Sequence, residues 1–278
     1  MDFVKLQGLG NDYVFVDGLA RPFDCDDPPA LARRISDRHF GVGADGLIAI
    51  LPGDRAPFRM RMWNADGSES EMCGNGIRSF AKYVFDRGYI QEEEFEIETL
   101  GGVMRPKVFV EEGRVRRVRV DMGAPALERG SLPMKGPFGE RFVEQPLEVG
   151  DRVVSATCVS MGNPHCVLFV PSADRAEVAT LGSAIEHSAH FPRRVNVGFA
   201  EVLARGELRL RVWERGSGET LACGTGTCAA VVAGVLTGRL DHEVLVHLNG
   251  GDLEIEWRDH VFMTGPTVEV FRGTFDPR

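Results

Sequence analysis

FRMRMWNADGSESEMCGNGIRS (Phe58–Ser79) and LRLRVWERGSGETLACGTGTCA (Leu208–Ala229) are one stretch written twice, aligned without a gap at an offset of 150 residues. The copies share Arg59/Arg209, Arg61/Arg211, Trp63/Trp213, Glu69/Glu219, Cys73/Cys223, Gly74/Gly224 and Gly76/Gly226, seven of 22 positions. That agreement marks an internal repeat. In each copy an apolar/Arg alternation, the period-two pattern of a half-exposed strand, ends in Trp. A polar turn follows, then Cys-Gly-x-Gly. After the first copy, Ile77, Phe80, Ala81, Val84 and Phe85 recur with the spacing of a helix that buries one face. After the second, an apolar run from Thr225 to Leu236 predicts the equivalent helix, and Gly88 and Gly238 are matched stops.

Working outward, the order repeats. Val4–Leu6 and Tyr13–Val16 read as strands around the turn Gly8-Leu-Gly-Asn-Asp, whose Gly8, Gly10, Asn11 and Asp12 suit unusual backbone angles. Asp27-Pro-Pro opens a helix carrying Leu31 and Ile35, and Leu47–Leu51 is a buried strand. Glu94–Leu100, Val103–Val110 and Val115–Asp121 continue as strands, with Gly101-Gly102 as a hairpin turn. In the second half, Val153–Val159, Leu168–Val170, a helical stretch Ala176–Ile185, and Val195–Phe199 follow. Gly162-Asn163 matches Gly10-Asn11, and Val244–Leu248 with Leu253–Trp257 forms the second hairpin. The last strand, Thr267–Phe271, is too short to stand alone and must join an existing sheet. The expected organisation is two like domains related by a pseudo-twofold: 1–122 with 267–278, carrying Cys73, and 123–266, carrying Cys223. A twofold brings equivalent segments face to face, so a cleft between the domains is the expected ligand site.

Composition sets bounds. With 278 residues, 43% hydrophobic and 26% charged, the chain is of globular type. A net charge of −9 argues against a nucleic-acid partner. The N-terminus has no secretory pattern, and no uncharged apolar run approaches the ~18 residues that span a bilayer. A cytoplasmic protein with no membrane association is the expectation. Six cysteines without an export signal read as reduced thiols, and no CxxC spacing supports a metal site.

A helix start offers unpaired N–H groups and the positive end of the helix dipole, and glycines there let a carboxylate approach. Gly74-Asn75-Gly76 and Gly224-Thr225-Gly226 are thus two halves of an anion cradle. The same field is expected to lower the pKa of a nearby thiol. Cys73 and Cys223, facing each other across one substrate, would exchange protons at a carbon α to its carboxylate. Cys25, Cys158, Cys166 and Cys228 read as structural. Arg59, Arg61, Arg209 and Arg211 read as solvent-side charges, whereas Arg215, beside Glu214, is placed to face the cleft.

Five motifs, GLGNDYVFVDG (Gly8–Gly18), NADGSESEMCGNGIR (Asn64–Arg78), MGNPHCV (Met161–Val167), RVNVGFAE (Arg194–Glu201) and WERGSGETLACGTG (Trp213–Gly226), closely resemble the diaminopimelate epimerase family. The resemblance implies a fold of mixed α/β (α+β) type: two similar domains, each a barrel-like set of strands around a central helix, with the last strand returning to the first domain. It implies a cofactor-independent, two-base isomerase interconverting LL- and meso-diaminopimelate for lysine and peptidoglycan-precursor synthesis, with no metal. Carried over by motif, Cys73 and Cys223 are the acid/base pair. Gly74, Asn75, Gly224 and Thr225 would hold the reacting carboxylate. Asn11, Asn64, Asn163, Asn196, Glu214 and Arg215 would bind the rest of the substrate. His165 and Glu214 would adjust the thiols. Some members carry Gln where this chain has Gly46, which leaves only a backbone contact there. The small-molecule substrate is the expected partner, and a homodimer is compatible with the sequence. The competing readings are a proline racemase-like isomerase and a thiol redox or binding protein.

Overall fold

The computed structural model describes residues 1–276, and the chain divides into two compact units, Met1–Asp121 with Thr264–Arg278 and Met122–Met263. In the first, β1 (Asp2–Gly8) and β2 (Asn11–Asp17) form a hairpin. Its turn places Leu9 at φ 59° and Gly10 at φ 85°. The left-handed residues are therefore Leu9 and Gly10; Gly8 is still in the strand. Helix α1 (Pro28–Ser36) is capped by Asp27, whose carboxylate accepts from Ala30 N, and its prolines sit where a missing N–H costs nothing.

Next come β3 (Gly46–Pro52), β4 (Phe58–Asn64), β5 (Glu69–Ser70) and helix α2 (Gly74–Asp86). After these, β6 (Ile97–Thr99), β7 (Gly102–Met104), β8 (Lys107–Glu111) and β9 (Arg114–Asp121) complete this part of the chain. The strand expected over 103–110 is broken at Arg105-Pro106, because proline cannot donate to the ladder. The strand expected over 94–100 shrinks to β6 plus one isolated bridge from Glu94 to Lys107.

In the second unit the order is β10 (Gln145–Val149), β11 (Arg152–Ser160), β12 (Pro164–Phe169), helix α3 (Val178–Glu186), β13 (Asn196–Ala204), β14 (Glu207–Glu214) and β15 (Gly218–Thr220). Helix α4 (Gly224–Leu236), β16 (Glu243–Leu248), β17 (Gly251–Trp257) and β18 (Val261–Pro266) follow. Strand β10 had no expectation attached: its QPLEV sequence is short and interrupted by proline. The last strand, β19 (Val268–Thr274), pairs antiparallel with β1 and so belongs to the first unit's sheet.

That sheet runs β19-β1-β2-β3-β4-β6-β7, with β5 beside β4. The second unit's strands run β10-β11-β12-β13-β14-β16-β17-β18, with β15 beside β14. Each unit wraps its strands around one helix. Helix α2 packs on β1, β2, β8 and β9; α4 packs on β11, β12, β13, β14 and β17. The second helix of each unit lies on the other side of the sheet. Leu31, Ala32 and Ile35 of α1 meet Val14, Leu47 and Trp63; Val178 and Ile185 of α3 meet Cys166, Val197 and Phe199. Elements separated by 150 residues match: α1 with α3, β4 with β14, α2 with α4. The conserved pairs within the repeat have structural partners. Arg61 pairs with Glu69 at 2.8 Å and Arg211 with Glu219 at 2.7 Å, each tying a strand to the short strand after its turn. These arginines are partly exposed, as expected of solvent-side charges, and are paired across the hairpin.

Candidate active site

Both Cys-Gly-x-Gly stretches are helix starts. Cys73 and Cys223 are the N-cap residues of α2 and α4, in extended backbone at φ −136° and −122°. Neither helix has a side-chain cap. The first intrahelical bonds are Ile77 N to Cys73 O and Thr227 N to Cys223 O. The earlier N–H groups of each helix end therefore have no intrahelical acceptor, as helix geometry requires. α1, by contrast, spends its end on Asp27.

Around Cys73 the structure gathers Asn11 and Asn75. Cys73 Sγ lies 3.6 Å from Asn11 Oδ1, and Asn75 Nδ2 donates to the same oxygen at 3.1 Å. Asn11 Nδ2 donates to Asp45 at 2.7 Å, and Arg78 Nη2 donates to Asn75 Oδ1 at 2.8 Å. A carboxylate only accepts and a guanidinium only donates, so the two ends fix which way both amides face. Arg38 holds the other oxygen of Asp45 at 2.9 Å. Asn64 ends β4, where its Nδ2 donates to Ser68 Oγ at 3.0 Å. Gly46 is buried opposite Asn64 in the β3/β4 pairing, and a Cβ there would collide with Trp63 O. That position has room for backbone alone.

Around Cys223 the structure gathers Thr225, His165 and Glu214. Sγ lies 3.7 Å from Thr225 Oγ1. Burial pushes the Cys223 thiol well up, and the Glu214 carboxylate adds to it, while the Gly226 N–H and Thr225 hydroxyl pull the other way. For this thiol the helix field is outweighed by desolvation, contrary to the sequence expectation. His165 is buried, with Nε2 donating to Asn163 Oδ1 at 3.0 Å. Burial, with the Arg215 charge, holds its pKa down to about 3, so the ring is neutral at working pH. Asn196 accepts from Arg215 N at 2.9 Å and donates to Pro164 O at 3.0 Å, fixing the turn that carries Glu214 and Arg215. Glu214 accepts from Thr220 Oγ1 at 2.6 Å. Gly224 lies against Met263, where an added Cβ would be 3.0 Å from Sδ.

Residues in these networks with no sequence signal of their own include Tyr13, whose hydroxyl is 3.6 Å from Cys73 Sγ, and Arg38, Asp45, Arg78 and Glu186. Asp45 lies in the glycine-rich loop before β3 and Tyr13 in the first motif, but each reads alone as loop or core. Glu186 is a buried carboxylate that accepts from Trp213 Nε1 at 2.8 Å and Gly216 N at 2.9 Å. It braces the Glu214–Gly216 turn from beneath. A cavity of about 810 Å³ in the first unit, bordered by Asp17, Phe23, Cys25 and Tyr83, contains none of the expected site residues. Among the described residues, no three His, Cys, Asp or Glu side chains cluster as a metal site.

Each of the two sheet-rich units presents a cysteine at the open, uncapped end of its inner helix. A family model described as diaminopimelate epimerase matches residues 3–128 and 157–270. A diaminopimelate epimerase from Moorella thermoacetica is 57% identical over 99% of both chains, and one from Pelotomaculum thermopropionicum is 55% identical over 100% of both. The chain belongs to the diaminopimelate epimerase family. A solved structure of a probable proline racemase from Agrobacterium radiobacter K84 shares the fold, with a TM-score of 0.70 at 14% identity over 99% of this chain and 92% of that one. Among the described residues no helix is long and apolar enough to cross a membrane.

Proposed function

We propose that Cys73 and Cys223 are the acid/base pair with which this diaminopimelate epimerase interconverts the LL and meso forms of its substrate in lysine biosynthesis. The observation that carries the reading is one device present twice: a cysteine as the N-cap of an otherwise uncapped helix that begins Gly-x-Gly.

Inversion at a carbon needs a base on one side of it and an acid on the other. One sulfur, as thiolate, takes the α-proton, and the C–H electron pair passes into the carbanion and onto the α-carboxylate. The other sulfur, as thiol, returns a proton to the opposite face and is left as thiolate. Protons balance, and the two thiols exchange states with each turnover. The helix-end N–H groups near Gly74, Asn75, Gly224 and Thr225 stabilise the carboxylate as its charge grows, with little reorganisation. The scheme draws on no group beyond these.

The distal end of diaminopimelate is an ammonium and a carboxylate on a centre that is not inverted. Glu214 and Arg215 have the complementary charges, and Asn11, Asn64, Asn163 and Asn196 supply amide contacts. His165 and Glu214 bias the Cys223 sulfur. A homodimer is compatible with this reading and is not required by it.

The test is α-proton exchange. Incubated in deuterated water with LL-diaminopimelate or with proline, the protein should label the α-carbons of diaminopimelate, one per turnover, and leave proline unlabelled. Label in neither would overturn the assignment, and label in proline alone would move it to the racemase.

A further inference from the structure

We infer that Tyr13 is a third functional group of the Cys73 half-site: its phenol hydroxyl donates to the Cys73 sulfur and supports the thiolate. The inference rests on Cys73 being one of the two proton carriers.

Tyr13 lies on β2, two residues after Asn11, and its side chain is buried. Its hydroxyl is 3.6 Å from Cys73 Sγ, an ordinary distance for a hydrogen bond to the large sulfur atom. Asn11 Oδ1 is also 3.6 Å from the same sulfur. The two neighbours do opposite things. The Asn11 oxygen can only accept, and Asp45 keeps it turned that way, so it suits the S–H of the thiol. The phenol can donate, so it suits the thiolate. Each protonation state of Cys73 therefore has its own partner already in place, which a sulfur that gains and loses a proton in every turnover requires. Burial, the neighbouring sulfur charge and the charge of Asp45 all push the Tyr13 pKa well up, so the phenol stays a donor and does not compete as a base. The charged groups on the other elements packed about Cys73 are Asp45, ahead of β3, and Arg78, on α2, with Arg38 one contact further out on Asp45.

The room for this ring is specific. Gly46 stands opposite Tyr13 in the parallel β2/β3 register, and a Cβ at 46 would lie 3.0 Å from Tyr13 Cε1. A Cβ at 46 would meet the Trp63 carbonyl first and the Tyr13 ring second, so glycine there leaves the ring undisturbed. The second copy offers a parallel. With Gly10-Asn11 aligned on Gly162-Asn163, Tyr13 falls on His165. A Cβ at Gly226 would lie 3.5 Å from His165 Cε1 and 3.2 Å from Cys223 Sγ, so that histidine is in the same neighbourhood as its thiol. Each half-site thus places a polar aromatic ring near its sulfur, but a phenol and a neutral imidazole make different neighbours.

The experiment is site-resolved alkylation. Tyr13→Phe keeps the ring and removes only the hydroxyl. Iodoacetamide labelling of Cys73 and Cys223 is followed by mass spectrometry across pH, with no substrate present. In Tyr13→Phe the Cys73 curve should move to higher pH by about one unit, the difference expected when a thiolate loses a charge-assisted hydrogen bond. The Cys223 curve and the melting temperature should stay put. Difluorotyrosine at position 13, a more acidic phenol, should move the Cys73 curve the other way. A Cys73 curve that superimposes on the wild type, or equal shifts at both cysteines, overturns the inference. Because labelling needs no turnover, a failure here leaves the two-thiol chemistry standing. An active Cys73→Ala variant would remove that chemistry instead.

Discussion

The Cys73 and Cys223 half-sites share a backbone and differ in nearly every side chain around it. Helices α2 and α4 each run 13 residues from a glycine that follows an extended, uncapped cysteine. Around Cys73 are neutral amides and a phenol, with the charges of Asp45 and Arg78 on the far side of the amides and Arg38 beyond Asp45. Around Cys223 are a carboxylate and a neutral buried imidazole, and the cysteine itself is only 5% exposed. Even the helices differ: both are buried over consecutive residues, 75–81 in α2 and 226–234 in α4, but α2 carries polar side chains such as Asn75 and Arg78 there while α4 is almost wholly apolar. Duplicated backbone supplies the same uncapped helix start twice. Divergent side chains then make the two sulfurs unlike, which is what the proposed two-base chemistry asks of them.

The comparison breaks at its root if either sulfur is dispensable. Cys73→Ala and Cys223→Ala should each lower epimerisation by about a thousandfold or more, the scale of a lost general acid or base, with far-UV circular dichroism unchanged. Near-wild-type turnover in either variant would sink the two-base scheme. The next effect concerns the two carboxylates that brace the half-sites. Glu186 has a side chain only 3% exposed and holds Trp213 Nε1, Gly216 N and, at 3.3 Å, Arg194. Glu186→Ala strands these donors and should cost about 1–3 kcal/mol in urea unfolding. Asp45 is 38% exposed, and water can replace it. Asp45→Ala should cost less than about 1 kcal/mol, but it frees the Asn11 amide to turn, so KM should rise more than stability falls. Equal destabilisation by the two variants would show that they are not different kinds of support.

Much of this was legible because the repeat compares the chain with itself. The alternating strands β4 and β14 and the helices that follow them come from pattern and spacing; that the last strand joins a sheet came from its length, and its return to the first unit from the family resemblance. The asparagines proposed to bind substrate rest on motif resemblance. What pattern could not supply depends on contacts between distant segments. Tyr13 reads as a strand core residue until β2 is set beside α2. Glu186 reads as the polar end of a helix until α3 is laid under the Trp213 turn. The break at Pro106 was visible in the sequence, but it was outvoted by the apolar run around it. Helix-dipole reasoning predicted a lowered Cys223 thiol because it could count the dipole and not the burial.

The smallest expected effects use two histidines as opposite probes of the second unit. His165 is held near pKa 3 by burial and the Arg215 charge, against about 6.5 in the unfolded chain. Between those values the unfolded chain binds the extra proton, so stability is lost as pH falls from about 6.5 toward 3, at up to about 1.4 kcal/mol per pH unit. His165→Gln should remove about one proton's worth of that slope in urea unfolding; an unchanged slope would mean that the ring is not buried neutral. His247 has the reverse sign. Its Nδ1 faces Asp252 Oδ1 at 2.8 Å and its Nε2 faces Glu207 Oε1 at 2.9 Å, and these hydrogen bonds raise its pKa. Its contribution is complete below the ordinary imidazole range and disappears as pH rises through the raised value. The side chain is 27% exposed, so screening limits the effect to about 0.5–1 kcal/mol. His247→Gln should therefore destabilise at about pH 6 and be nearly silent at about pH 9. Equal losses at both would assign His247 to packing, and would leave the charge contrast between the two histidines resting on His165 alone.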